Sequence, residues 1–220
     1  SISDHYGLTH GLLNQAYFFG VPAMGYYDGP AGGAGLLAQT LNYNFGVELD
    51  NYLVVSMAAF TKGVDAIGGI DVYLENPVYS DEDLGSFSAG WHHLDGAHAL
   101  HLARIRTGYN SLIRISNQDA ILEGIYAKLK SPEIILKIPE LIQVMQKTVL
   151  TDLSPQQINS LYCLAQKMDS DDLAFAEIPW EYYVSSWRYF DYMHQDINYF
   201  EIDFNVIRSY VEVFQNGTWP

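Results

Sequence analysis

The 220-residue chain is 49% hydrophobic and 17% charged, enough apolar surface for one substantial core and too much for a disordered segment. Its 26 acidic residues outweigh 11 basic ones, and the formal net charge of −15 excludes a general role in holding nucleic acid or anionic surfaces. A single cysteine, Cys163, rules out an intrachain disulfide or thiolate metal site and reads as core, since it lies in the apolar run from Leu161 to Ala165.

The stretch from Gly29 to Gly35 is crowded with small residues and reads as a flexible turn opening a helix from Leu36 to Phe45, with Gly46 as its C-cap. It lacks the Lys-Ser/Thr of a P-loop. Tyr52 to Met57 reads as a buried strand, Ala58 to Ala66 as a short helix, and Ile70 to Leu74 as a second apolar run, an order that predicts an α/β layer. Val78 to Gly90 is polar and acidic and reads as a surface loop; Leu94 to Leu102 then resumes helical spacing with Asp95 placed to cap it. Helices are also predicted from Asn117 to Lys130, Ile138 to Val149, Ser154 to Met168 and Phe204 to Phe214, with a strand from Leu173 to Ile178. No apolar run is long enough to span a bilayer, and Ser1 to Thr9 has neither the charged nor the apolar part of a signal peptide.

Basic residues are distributed unevenly: Lys62 is the only one before Arg104, after which Arg104, Arg106 and Arg114 arrive together. If Arg104-Ile105-Arg106 is extended, its two guanidinium groups face one side, and Arg114 returns to them from the following helix. Gln118, one helical turn after Arg114, adds a neutral donor to that face. Planar, permanently charged forks donating paired hydrogen bonds suit a diphosphate.

These residues carry a family resemblance. Leu94-Asp95-Gly96, Ala99-Leu100, Ala103-Arg104-Ile105-Arg106, Arg114 and Gln118 resemble the signature of the LytR-CpsA-Psr family. Asn14-Gln15-Ala16-Tyr17 with Gly20, Asp50 to Met57, and the stretch Val64 to Val72 resemble its earlier blocks in the same order, so the similarity runs from about Gly11 to about Gln118. The resemblance implies a three-layer α/β/α sandwich around a mixed central sheet, with residues 1–220 as one such domain. It implies an enzyme outside the cytoplasm, anchored by a segment not present in this chain or released from it. Its reaction would be phosphotransferase or pyrophosphatase chemistry, moving a glycan from a polyprenyl-pyrophosphate carrier onto peptidoglycan. Arg104 and Arg106 would be catalytic; Arg104, Arg106, Arg114 and Gln118 would bind the pyrophosphate, Mg2+ would bridge it, and the lipid tail would lie in an apolar cavity.

The same resemblance implies upstream strands, with an Asp pair for magnesium and an Arg-Asp segment for phosphate, that have no counterpart in these 220 residues. A separate N-terminal fragment or self-association could supply them. Leu12 stands where Lys or Arg is usual, Ser111 where Asp is usual, and Asn117 where a second Arg is usual. These departures frame the alternative, a non-catalytic extracytoplasmic protein that keeps the fold for assembly or for binding a lipid or glycan.

Other candidates are weaker. His92, His93, His98 and His101 sit near Asp95 but read as solvent-facing or packing side chains rather than metal ligands. Asp81-Glu82-Asp83 reads as a solvated surface rather than a calcium loop. The aromatics Trp180, Tyr182, Tyr183, Trp187, Tyr189 and Phe190 read as core plus interface, with a sugar-stacking face as the other reading.

Overall fold

A computed structural model describes residues 12–105, 111–135, 141, 149–169, 175, 177–190 and 194–218. Helices and strands are interleaved along the chain, the α/β character expected from the pattern. The residues group into two compact units, Ser1–Asp50 with Ala176–Pro220, and Asn51–Phe175.

In the first unit, helix α1 (Gln15–Gly20) packs on α2 (Gly32–Phe45). The close approach explains the small residues: a Cβ on Gly33 would lie 2.5 Å from the backbone oxygen of Tyr17. Most of the stretch read as a flexible turn is therefore the first turn of α2, which begins four residues before Leu36. Gly46 caps that helix in the left-handed region and its N–H donates to Asn42 O, as predicted. Numbering in chain order, α8 (Phe204–Gln215) packs on α2, with Phe45 and Phe204 edge to face and Arg208 Nε donating to Asn44 O at 2.7 Å. Strands β5 (Val184–Phe190) and β6 (Gln195–Glu201) form an antiparallel hairpin. The aromatic stretch divides across it: Phe190 is buried, Trp180 packs with Tyr183 and Phe200, and Trp187 and Tyr189 are exposed. Period-two alternation puts those last two on one face of the hairpin.

The second unit holds the main core. Strand β2 (Ile70–Leu74) pairs antiparallel with β3 (Gly90–Leu94), and its burial alternates strictly, with Ile70, Val72 and Leu74 inward. Helices α3 (Met57–Ala66), α4 (Gly96–Arg104) and α5 (Ser111–Leu129) contribute Val64, Ala99, Leu102 and Ile121 to the same cluster, which Ile105 and, from α6 (Pro132–Ile135), Ile134 join. Fully burying an aliphatic side chain of this kind contributes about 1.5–3 kcal/mol. Among the described residues of this unit, three helix starts are capped by local side chains, Ser56 accepting from Ala59 N, Asp95 from His98 N, and Ser154 in a reciprocal capping box with Gln157 at the head of α7 (Pro155–Lys167).

Several expectations change. The strand within Tyr52 to Met57 is only Leu53–Val55 (β1), paired with β4 (Val149–Thr151), and Leu53 and Val55 are exposed rather than buried. Residues 90–93, read as loop and helix approach, form most of β3, because cross-strand pairing with β2 supplies what their modest strand propensity does not. The acidic loop before it is pinched shut by mutual backbone hydrogen bonds between the buried Val78 and Phe87. Cys163 is exposed, on the outer side of α7, which is only partly apolar. Most of the predicted Ile138 to Val149 helix and half of the Leu173 to Ile178 strand lie outside the described residues; Phe175, Glu177 and Ile178 are not in a strand.

Candidate anion-binding site

The site is built where α4 ends and α5 begins. Asp95 starts α4, and Gly96 N donates to Asp65 Oδ1 at 2.7 Å, tying the helix to α3. His101, on the last turn, is buried; its Nε2 lies 2.8 Å from Gly85 O and its Nδ1 3.5 Å from Glu82 Oε2, which fastens the acidic loop to the helix. Arg104 is the final helical residue and is exposed. The expectation that it lies on an extended segment is corrected, since the chain leaves the helix only at Ile105, whose side chain is anchored in the core. Basic side chains in the last turn also complement the negative end of the helix.

Arg106 lies outside the described residues. Arg114 is in the first turn of α5, half-buried and engaged within the fold. Gln118 Nε2 donates to Ala103 O at 3.1 Å. That carbonyl is among the last four of α4, which have no partner inside the helix, so Gln118 satisfies it and clips the end of one helix to the start of the next. Gln118 thus joins α5 to the last turn of α4, which ends on Arg104, while Arg114 lies one helical turn before Gln118.

Asn117, marked in the sequence as a departure from the family pattern, is buried. It is 4% exposed, and its Nδ2 has no hydrogen-bond partner. The available signal was its helical phase: positions 113, 117, 121 and 124 share the inward face of α5, so a polar side chain at 117 had to be buried.

Among the described residues, no three His, Cys, Asp or Glu side chains gather as a metal site would require. The histidines form separate pairs, His93 with Asp71 and His98 with Asp95, each at 2.7 Å.

Comparison with known proteins bears on the whole arrangement. The LytR_cpsA_psr family model matches residues 2–205, across both units. A polyisoprenyl-teichoic acid–peptidoglycan teichoic acid transferase TagU from Oceanobacillus iheyensis is 30% identical over 151 residues, 68% of this chain and 45% of that protein. A protein of the same name from Bacillus anthracis is 27% identical over 212 residues, 91% of this chain and 62% of its own length. The chain thus spans about half to three-fifths of the curated relatives it matches. Among solved structures, B. subtilis TagV superposes with a TM-score of 0.70 at 22% identity, covering 96% of this chain and 76% of that one. B. subtilis TagU gives 0.60 at 20% identity, covering 96% and 80%. Both show the shared fold.

Proposed function

Because the chain belongs to the LytR-CpsA-Psr family, we propose that it handles polyprenyl-pyrophosphate-linked glycans at the cell envelope and transfers them to peptidoglycan. The relatives named as teichoic acid transferases support this reading. The observation that carries it is the clip from Gln118 to Ala103 O, which joins the helix bearing Arg114 to the last turn of the helix that ends on Arg104. In the transfer an acceptor hydroxyl oxygen of peptidoglycan forms a P–O bond to the glycan-linked phosphorus while the bridging P–O bond breaks; the hydroxyl proton is lost to water and polyprenyl phosphate leaves, negative charge building on it. Guanidinium groups held against that phosphate lower the cost of the charge, most strongly where water is excluded. Arg104 and Arg106 fill the catalytic part of this role; with Arg114 and Gln118 they bind the ground-state diphosphate.

Mg2+, if bound, would supply charge neutralisation at the pyrophosphate, and no described residue is assigned to hold it. The location is extracytoplasmic, with the chain anchored by another segment or released; among the described residues, no helix is long and apolar enough to cross a membrane.

The test is calorimetric titration of farnesyl pyrophosphate into this chain, with and without Mg2+, followed by assay of glycan transfer. Saturable binding is expected, and Arg106→Ala and Arg114→Ala should each weaken it by about 1.5–3 kcal/mol, the range for hydrogen bonds to charged groups. Absence of binding overturns the proposal; binding without turnover leaves the non-catalytic envelope-binding alternative.

A further inference from the structure

Strands β2 and β3 have two unlike faces. Inward, Ile70, Val72 and Leu74 are at most 4% exposed and fix the hairpin to the core; outward, the same register sets Tyr73 opposite Trp91 and Asp71 opposite His93. Tyr73 is 53% and Trp91 73% exposed, and their ring centroids lie 5.4 Å apart with the planes at 57°, an open wedge rather than a closed stack. The second pair stands beside the first, about 6.5 Å along the strands, the distance of two residues. There His93 Nδ1 lies 2.7 Å from Asp71 Oδ1, and a Cβ on Gly69 would come 2.8 Å from His93 Nε2, so the bare backbone at 69 makes room for the imidazole. Both side chains remain more than half exposed, and neither Asp71 Oδ2 nor His93 Nε2 has a partner among the described residues. None of these four side chains serves the core, yet all stand on strands whose other face is buried.

We infer that the outer face of β2 and β3 holds an uncharged glycan, the sugar backbone of the peptidoglycan acceptor. The inference rests on the envelope-glycan reading above for its ligand class and on this face alone for its place. A pyranose ring has an apolar C–H face, which packs on exposed indole and phenol rings, and a polar edge of hydroxyl and amide groups, which needs hydrogen-bond partners at its rim. The wedge supplies the first. The His93–Asp71 pair supplies the second: with Nδ1–H donated to the carboxylate, Nε2 and Asp71 Oδ2 accept from hydroxyl or amide protons. Aromatic side chains offer this contact area at a small entropic cost, because they have few rotors to freeze. Charge decides which glycan fits. From Gly63 to Ala103 there is no Lys or Arg, while Asp71 lies on the face and the exposed Glu75 follows directly on β2, so a polyanion such as teichoic acid is repelled here. A cation is poorly served too, since two rings leave it open on most sides and the Asp71 carboxylate is shared with His93.

The experiment titrates fully N-acetylated chitohexaose, an uncharged sugar oligomer, into the 15N-labelled chain and follows the tryptophan indole resonances. The variants are Trp91→Ala, Tyr73→Ala and, on the other exposed aromatic face, Trp187→Ala. The Trp91 indole should shift saturably, and Trp91→Ala and Tyr73→Ala should bind at least about tenfold more weakly, with Trp187→Ala unchanged. Because the substituted side chains lie outside the core, melting temperatures should stay near wild type. If Trp91→Ala fails to fold, Trp91→Phe assigns the indole resonance, and its shift together with Tyr73→Ala decides. Shifts confined to Trp187, full affinity in Trp91→Ala, or binding only of the deacetylated, cationic oligomer overturn the inference. Farnesyl pyrophosphate separates the two levels: wild type that binds it but not chitohexaose loses the glycan face and keeps the envelope reading, whereas wild type that binds neither removes both.

Discussion

Gly96 shows how a single residue can be conspicuous in the sequence while its physical reason waits for the fold. It stands in the Leu94-Asp95-Gly96 motif, yet what requires it is the crossing of α4 over α3: a Cβ there would lie 2.1 Å from Thr61 O, inside any permissible contact, while the Gly96 N–H is committed to Asp65. Since a backbone oxygen cannot swing aside as a side chain can, Gly96→Ala has to lift α4 away from α3. We expect a loss of about 1–3 kcal/mol in urea unfolding, the usual cost of overpacking, with the same slope against denaturant. An unchanged midpoint would mean the helices separate freely at that point. Asn117 and Cys163 show the limit from the other side. Asn117 is polar but buried, Cys163 sits in an apolar run but is exposed, and in each case the neighbouring elements decide, which composition around the residue does not reveal.

At the scale of elements, what was legible had a local cause. The helices at 57–66, 96–104, 155–167 and 204–215 came close to their expected bounds because caps and 3.6-residue spacing are written in adjacent residues. β3 was missed because a strand containing Gly90, His92 and His93 exists through its register with β2, a non-local cause. The extended arginine segment failed for a related reason, since α4 runs two residues past its expected end at Leu102 and ends on Arg104. The Asp95 cap gives this scale its prediction. The His98 backbone N–H, then the His98 ring, hold the Asp95 carboxyl below its ordinary value. A depressed folded-state pKa contributes stability above the unfolded value and loses it as pH falls through the folded one. Hydrogen exchange of the α4 amides should therefore accelerate on acidification from about pH 5 toward 2, after correction for intrinsic rates. Asp95→Asn keeps a capping oxygen without the titration and should flatten that part of the profile; an equal acid response in both proteins would place the sensitivity in another carboxylate.

At the scale of the whole molecule, charge was the most legible property and the site the least, because the sum of charges needs no fold whereas the meeting of two helix ends does. Arg104 and Arg114 are ten positions apart, and Gln118 joins the helices that carry them, a contact no periodicity announces. These two levels pull in opposite directions on an anionic ligand: the guanidinium groups attract it at contact, while the net charge of −15 repels it at distance. Screening separates them, since the Debye length falls from about 30 Å at 0.01 M salt to about 8 Å at 0.15 M, which removes the distant field long before it weakens contacts of a few ångströms. The association rate for farnesyl pyrophosphate should therefore rise with salt over that range, the reverse of a basic protein steering an anion, while dissociation quickens only slightly. Stopped-flow mixing at several salt concentrations reads both rates. An association rate that falls with salt would mean that the arginine cluster dominates the potential along the ligand's approach, and that the acidic residues are arranged away from that path.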